Sequence, residues 1–498
     1  MTTKESVNCE GMTFYFYDIE TSGLDPKVQR IMQFAGQRTD ENLNPIGEPH
    51  NCLIKITEDV LPDPDSVFVT GITPQMTLTD SYSEAEFLRL FYREISTPDT
   101  CMLGYNTLRF DDEFIRYLNY RNFYDPYEWQ WKDGRSKWDL MDAVRMTRAL
   151  RPDGIKWHVT DEGRASNRLE LIAQENNLLH EQAHDALSDV NATIAVAKMI
   201  REKQPKLFEY LFSIRDKKRV AAMVNLAHPQ LLVHTSDKLS GDFLKTSIVY
   251  PIAQGKYDTV YVYDLRHDPE QFADLSVEEL SRRLFTKKEE LGDVPRLPVK
   301  GIRLNKCPAI APLGVLDDAS KERLQIDLDV FQKHLKKLQS IPDFAKRVAE
   351  AFEYQKPDVV KSDTYQGPIV VSDVDGQLYD GFFNDADKEI ARDIVKRGVQ
   401  EFRDFNPVFS DERLNKLLVL YKARNYPSTL SSAEAEAWHK HCAVRLQTGG
   451  ERSRVAMYFA RLAELAVADD SDSHHEYLLS ELQLWGQSLL QDQDEAEA

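Results

Sequence analysis

Residues Thr13 to Asp18 read Thr-Phe-Tyr-Phe-Tyr-Asp, a nearly unbroken apolar run of strand length that predicts a buried β-strand. Two more strands are expected at Ile31–Thr39 and Cys52–Ile56, with Asn44-Pro45 and Gly47 supplying turn chemistry between them. The period then changes. Ser83–Ile95 puts Phe87, Leu88, Phe91 and Ile95 on one helical face, Thr100–Gly104 is a short buried strand, and Phe110–Tyr120 is helical. Further helices are expected at Leu140–Leu150, Arg168–Asn176 and Ala186–Ile200. Three strands followed by alternating helix and strand predict an α/β domain with a mixed sheet.

A run of cations from Arg201 to Arg219, including Lys203, Lys206, Arg215, Lys217 and Lys218, marks a break. It is either a solvated face or a surface that steers an anionic ligand. Beyond it, Leu231–Thr235, Ser247–Ile252 and Val260–Leu265 are short, β-branched and aromatic. With a helix at Leu275–Phe285 and a strand at Val299–Leu304 they predict a small, partly β second domain. Helical patterns dominate afterwards, at Leu324–Gln339, Phe344–Glu353, Asp385–Arg397, Glu412–Tyr421, Ser432–Cys442 and His475–Leu490. The chain ends in an acidic tail carrying Asp492, Asp494, Glu495 and Glu497. No repeat of fixed period is visible. The expected domains are residues 1–202, 203–355 and 356–498.

Composition narrows the class. A chain of 498 residues is too long for one hydrophobic core, and 42% hydrophobic with 29% charged residues is ordinary for a folded, soluble enzyme. No stretch approaches ~20 consecutive apolar residues, so no membrane span is expected. Met1 to Gly11 is polar and mixed in charge, unlike a signal peptide. Cys9, Cys52, Cys101, Cys307 and Cys442 show no paired or metal-ligand spacing, which points to a reducing cytoplasm. The formal net charge of -20 argues against bulk binding of a polyanion, so any nucleic-acid contact must depend on local charge distribution.

Three motifs carry candidate chemistry. Asp18-Ile19-Glu20 ends the first strand, and residues two apart on a strand project together. Two such carboxylates repel unless a divalent cation lies between them, although acids at a strand end are commonly solvated turn residues. Gly104-Tyr105-Asn106-Thr107-Leu108-Arg109-Phe110-Asp111-Asp112-Glu113 opens a helix, where Asp111 or Asp112 could simply be an N-cap. His184-Asp185-Ala186-Leu187-Ser188-Asp189 enters an apolar helix, again with Asp185 or Ser188 as a possible cap. A histidine beside acids is suited to general-base chemistry, because its pKa lies near neutrality.

In combination, the order and flanking elements of these motifs resemble the DEDD exonuclease superfamily, in its histidine-bearing branch. That pattern selects Asp111 directly after the Phe, and Asp189 five residues after the His. The resemblance implies two-metal hydrolysis of a phosphodiester, with Asp18, Glu20, Asp111 and Asp189 holding two Mg²⁺ ions roughly 4 Å apart and His184 as general base. Hard oxygen ligands suit Mg²⁺, with Mn²⁺ as a substitute. Further segments are similar to the bacterial exonuclease I family: Thr70-Gly71-Ile72-Thr73-Pro74-Gln75, Arg121-Asn122-Phe123-Tyr124-Asp125-Pro126-Tyr127, Trp138-Asp139-Leu140, Ala149-Leu150-Arg151-Pro152-Asp153-Gly154, Ile302-Arg303-Leu304-Asn305-Lys306-Cys307-Pro308, Gly381-Phe382-Phe383 and Tyr421-Lys422-Ala423-Arg424-Asn425-Tyr426-Pro427. They span all three expected domains. The family implies a ribonuclease H-like nuclease domain, an SH3-like β-barrel domain and a C-terminal α-helical domain. It also implies processive 3′→5′ digestion of single-stranded DNA to nucleoside 5′-monophosphates in repair and recombination, with single-stranded DNA-binding protein as partner; separately, nothing in the sequence suggests an obligate dimer, and a monomer is expected. Such a partner's acidic tail would want an arginine beside an apolar pocket, but no residues can be chosen for it. One departure is Ser22, where the family often has an aromatic near the terminal base.

Arg116, Arg121, Tyr124, Tyr127, Trp129, Trp131, Arg135 and Arg145 interleave cations with aromatics after the second motif. Such mixtures hold unpaired strands without sequence preference, and Arg116, Tyr127, Trp131 and Arg145 are the expected DNA contacts. The resemblance also assigns Arg168, together with Glu20, to the terminal nucleotide. Two other activities fit the motifs: a 3′→5′ ribonuclease or proofreading-type nuclease of the same superfamily, and a non-catalytic nucleic-acid-binding scaffold.

Overall fold

The computed structural model describes residues 11–178, 185–354, 368, 373–402, 405–467 and 472–497, the side chains of 491–497 excepted. In the first domain β1 (Thr13–Thr21) is the centre of a five-stranded sheet. β2 (Ile31–Thr39) pairs with it antiparallel and β3 (His50–Leu53) extends that side. β4 (Thr100–Gly104) and β5 (Ser136–Asp139) continue the other side in parallel. The order β3-β2-β1-β4-β5 is the mixed sheet expected.

Because side chains alternate along a strand, β1 builds two cores at once. Phe14 and Phe16 pack with Trp138, Phe212 and the apolar faces of α4 (Leu140–Leu150), α5 (Leu169–Glu175) and α6 (Ala186–Lys203). Tyr15, Tyr17 and Ile19 face the opposite way, into Phe34, Phe91, Phe114 and Trp129, under α2 (Glu84–Leu90) and α3 (Asp111–Arg121). Asp18 and Glu20 share the parity of Phe14 and Phe16, so they point to the side on which α6 packs. α1 (Pro64–Thr70) precedes α2.

The basic stretch after α6 is folded. α7 (Pro205–Ser213) and α8 (Lys217–Met223) occupy it, and Arg215 lies 3.6 Å over the Phe212 ring with its guanidinium on the Phe212 carbonyl. The second domain is an antiparallel sheet of order β10-β6-β7-β8-β9: β6 (Leu232–Thr235), β7 (Thr246–Gln254), β8 (Thr259–Asp264), β9 (Val299–Arg303) and β10 (Ala309–Pro312). It is flanked by α9 (Val277–Phe285), α10 (Lys288–Leu291), α11 (Asp318–Arg323), α12 (Leu328–Ser340) and α13 (Phe344–Glu353). One apolar core runs through both domains, from Trp138 to Ile310 and Val348.

The third domain is helical: α14 (Asp385–Lys396), α15 (Glu412–Asn425), α16 (Ser432–Gln447), α17 (Arg454–Leu465) and α18 (Ser473–Glu497). Its core extends into the first domain twice, through Tyr117, Tyr120 and Phe123 near α3 and through Ile56, Val60 and Val67 near α1. Some elements also differ in extent from the sequence expectation. The helix at Ser83–Ile95 is α2 followed by a π-helical turn over Phe91–Ile95. The third strand ends at Leu53, after which Ile54 makes an isolated bridge to Tyr82. The helix expected from Leu324 starts at Leu328, capped by Asp327. Among the described residues no helix is long and apolar enough to cross a membrane.

Candidate active site

Asp18 and Glu20 lie opposite Ala35 and Gln33 of β2, and a bulge follows between Glu20 and Thr21. Asp189 stands in the first turn of α6, whose N-cap is Asp185: its carboxylate accepts from the Ser188 N–H at 3.1 Å. The cap role therefore belongs to Asp185 and leaves Asp189 facing the strand end. Carboxylate oxygens of Asp18, Glu20 and Asp189 lie within 4.8 Å of one another.

Asp111 reaches the same place from α3, and the backbone before it explains how. Gly104 ends β4 against β1, where a Cβ would come within 2.8 Å of the Tyr17 carbonyl oxygen, so only glycine fits without a shift. Asn106 then turns with φ 69°. Asp139, from the Trp138-Asp139-Leu140 segment, accepts from the N–H groups of Asn106 (3.0 Å), Leu108 (3.1 Å) and Met141 (2.9 Å). This carboxylate thus fixes the turn that aims α3. Phe110 occupies the cap position of α3 without a side-chain bond, so neither aspartate caps the helix.

The two aspartates behave differently. Asp112 is fully engaged, accepting from Tyr17 Oη at 2.7 Å and Gln130 Nε2 at 2.5 Å, with Arg116 and Lys137 each 3.6 Å away. Asp111 is buried, and its Oδ1 has no hydrogen-bond partner. Burial raises the Asp111 carboxyl to about 8; repulsion from Asp112 and Asp139 adds to this, while the backbone N–H groups of Asp111 and Ile19 oppose it. Glu20 also rises to about 8, through burial and then the charges of Asp189, Asp111 and Asp185. Asp18 is pushed well above the usual carboxylate range by burial and by Asp111, Glu20, Asp189 and Asp185. Hard oxygen donors, an unpartnered buried oxygen and strong mutual repulsion together fit divalent cations, which would relieve all three.

His184 lies outside the described residues. Arg168 stands at the cap position of α5 with its side chain 75% exposed, 3.8 Å from Glu170. The interleaved cation–aromatic cluster does not form one exposed platform. Trp129 is in the core, and Arg121 is buried against Glu84 at 2.7 Å. Arg116, expected to contact DNA, is buried between Glu113, Gln130 (2.9 Å) and the Tyr127 ring. Arg145 clamps Asp142 at 2.6 Å, and Tyr127 is half-buried. The physical reason is common to Arg116, Arg121 and Arg145: each has a carboxylate partner that withdraws it from solvent. Trp131 alone of the four expected contacts is open, at 62% exposure.

Sequence reasoning assigned no role to a groove of about 660 Å³ between the first and second domains. It is lined by the cations Arg109, Lys238, Lys256, Arg303 and Lys306 and by the carboxylates Glu113, Asp139, Asp142 and Asp237, with Arg109 paired to Asp142 at 2.7 Å, and Tyr257 stands exposed at its edge. Tyr261 and Phe352 stack at 3.8 Å along its wall. Lys306 donates to the Leu108 carbonyl at 2.7 Å, so the groove opens three residues from Asp111. Burial lowers the Lys306 amine to about 8, helped by Arg116 and Lys137. The Asn305-Lys306-Cys307-Pro308 segment carried the signal, but its side chains come together with Arg109 only in the folded chain.

The protein is similar to known nucleases along most of its length. A family model described as Exonuclease matches residues 15–197, the Exonuclease I SH3-like domain matches 215–354 and the Exonuclease I C-terminal domain matches 372–489. Exodeoxyribonuclease I of Escherichia coli is 40% identical over 431 residues, covering 86% of this chain and 89% of the relative. That of Haemophilus influenzae is 39% identical over 482 residues, covering 96% and 99%. The crystal structure of E. coli exonuclease I in complex with a dA16 oligonucleotide superposes with a TM-score of 0.89 at 38% identity, covering 96% of this chain and all of that one. With fold, three domains and motifs in agreement, the chain belongs to the exonuclease I family of DEDD exonucleases.

Proposed function

We propose that the protein removes nucleotides from the 3′ end of single-stranded DNA as nucleoside 5′-monophosphates, in repair and recombination. The convergence of Asp18, Glu20 and Asp189 on one point, beside the unpartnered oxygen of Asp111, carries this reading. These four carboxylates would hold two divalent ions, Mg²⁺ with Mn²⁺ as a substitute. When bound, the ions supply Lewis-acid stabilisation of charge on the phosphodiester oxygens and lower the pKa of the attacking water.

The chain's own groups do the rest. Asp18, Glu20 and Asp189 gather carboxyl oxygens at one point beside Asp111, so added divalent charge would be bound where charge develops. His184 takes the proton of the attacking water. Glu20 and Arg168 engage the terminal nucleotide. The groove beside Lys306 holds the unpaired strand through phosphate contacts of Lys238, Arg303 and Lys306, with Tyr257 and Trp131 available for stacking.

Residues 1–202, 203–355 and 356–498 are taken as the three functional units. We place the protein in a reducing cytoplasm, in keeping with buried free thiols at Cys52, Cys307 and Cys442, acting as a monomer with single-stranded DNA-binding protein as partner. The test is parallel digestion of 3′- and 5′-labelled DNA and RNA strands of one sequence with Mg²⁺. Stepwise shortening of DNA from the 3′ end is expected, and preferential loss of RNA overturns the reading.

A further inference from the structure

The loop that follows Glu20, residues 22–30, is held from the third domain through buried charge. Its base closes on itself: Ser22 N–H donates to the Arg30 carbonyl and Arg30 N–H to Ser22 Oγ, both at 2.9 Å. The Arg30 side chain leaves the loop and donates to Asp375 at 2.7 Å. Asp375, 0% exposed, also accepts from Arg424 (2.6 and 2.9 Å) and Arg445 (3.0 Å). Arg445 in turn donates to the Val28 carbonyl at 2.9 Å, gripping the loop a second time. Asp59 closes the cluster against Arg30 and Arg424.

Two features argue that this arrangement does more than join domains. A buried ion cluster is a weak source of stability, because desolvation offsets the attraction. This one leaves Nε of Arg30 and of Arg424 buried without a hydrogen-bond partner, the former 3.8 Å from Glu84. The strand ladder is also irregular at the bulge between Glu20 and Thr21, immediately before the loop. Glu20 still pairs with Gln33, so the ladder holds it on its N-terminal side while the base of the loop sets the backbone that follows it.

We infer that Asp375 is a positioning residue for the reaction: by gathering Arg30, Arg424 and Arg445 it fixes the loop 22–30 and with it the pose of Glu20. The third domain thereby contributes to the geometry of the reaction centre. This rests on the placement of Glu20 in that centre.

The test uses the full-length chain and two variants, Asp375→Asn and Arg445→Met, each assayed below its melting temperature. The readout is the single-turnover rate constant on a labelled single strand with enzyme in excess, which does not depend on the fraction of folded molecules. Strand affinity is measured in Ca²⁺, and amide hydrogen exchange is followed along the chain. Rates lower by about 10- to 100-fold are expected, the scale of a small misplacement of reacting groups. Strand affinity should be unchanged, exchange should rise at residues 22–30 and not in β7, and Arg445→Lys should recover part of the rate. Parent-like single-turnover rates in the folded variants would overturn the proposal. If Asp375→Asn does not fold, Arg445→Met decides, because it leaves Asp375 paired with Arg30 and Arg424. A parent enzyme inert with Mg²⁺ would instead overturn the functional reading, and this proposal with it.

Discussion

Asp111→Asn should make the metal-free protein more stable while removing its activity. Asparagine has the shape of the protonated acid, so the substitution deletes the charge and little else. The Asp111 carboxyl rises from 3.8 to about 8 on folding. A group whose folded pKa is raised binds more protons when folded, so its ionisation opposes folding from the unfolded pKa upward. That cost is absent below about pH 4, grows through neutrality and is complete above about pH 8. At 1.36 kcal/mol per pKa unit it is at most about 4 kcal/mol near pH 7, and proton sharing with Asp18 and Glu20 lowers it from that ceiling. For a domain of this size the ceiling corresponds to a rise in melting temperature of about 8–16 °C. Thermal melts in a chelator at about pH 5 and about pH 8 would measure it, with the larger gain at the higher pH. In excess Mg²⁺ the order should reverse, since the parent gains binding energy that the variant lacks. A variant less stable than the parent in chelator at high pH, or a gain independent of pH, would refute the reasoning.

Other expectations follow from the same geometry. Asp112→Ala removes the acceptor of Tyr17 and Gln130 and strands Arg116 and Lys137, so denaturant melts should show a loss of about 3 kcal/mol, while the single-turnover rate of the folded fraction falls far less than for Asp111→Asn. Lys306→Ala should weaken strand binding and lower the slope of log affinity against log salt by about 0.7. Because the Lys306 amine is lowered to about 8, parent affinity should fall as pH rises through that value, and Lys306→Arg should abolish the step. Trp129→Ala, emptying a fully buried site, should cost about 3–5 kcal/mol in denaturant melts, whereas Trp131→Ala should leave stability unchanged.

The elements that could be read from sequence are those whose apolar pattern is long enough to be specific. β1 and β2 each span nine residues, and Phe14, Phe16 and Phe34 give them continuous apolar character. β5 carries one large apolar residue, Trp138, and β10 ends in Pro312, so neither alternates, and they are strands because β4 and β6 offer them edges. α17 had a signal, in its Ser453 cap and the spacing of Tyr458 and Leu462, but no helix was assigned there. The motif acids could be named because strand parity places Asp18 with Glu20 and a glycine ends β4. The fates of Arg116 and Arg145 could not, because whether a cation binds a phosphate or an internal carboxylate depends on Glu113 and Asp142, one helical turn away in each case. The groove was hidden for a related reason: Arg109 and Lys306 come from different domains.

The central claim is that four carboxylates, led by Asp18, hold the reaction centre. Its most direct measurement is the Mg²⁺ dependence of single-strand hydrolysis by the parent and by Asp18→Ala at matched folded concentration. A parent rate that requires the ion and a variant rate lower by at least about 10²–10³-fold, with strand binding retained, is predicted. An Asp18→Ala protein that keeps most of its hydrolysis would contradict the account.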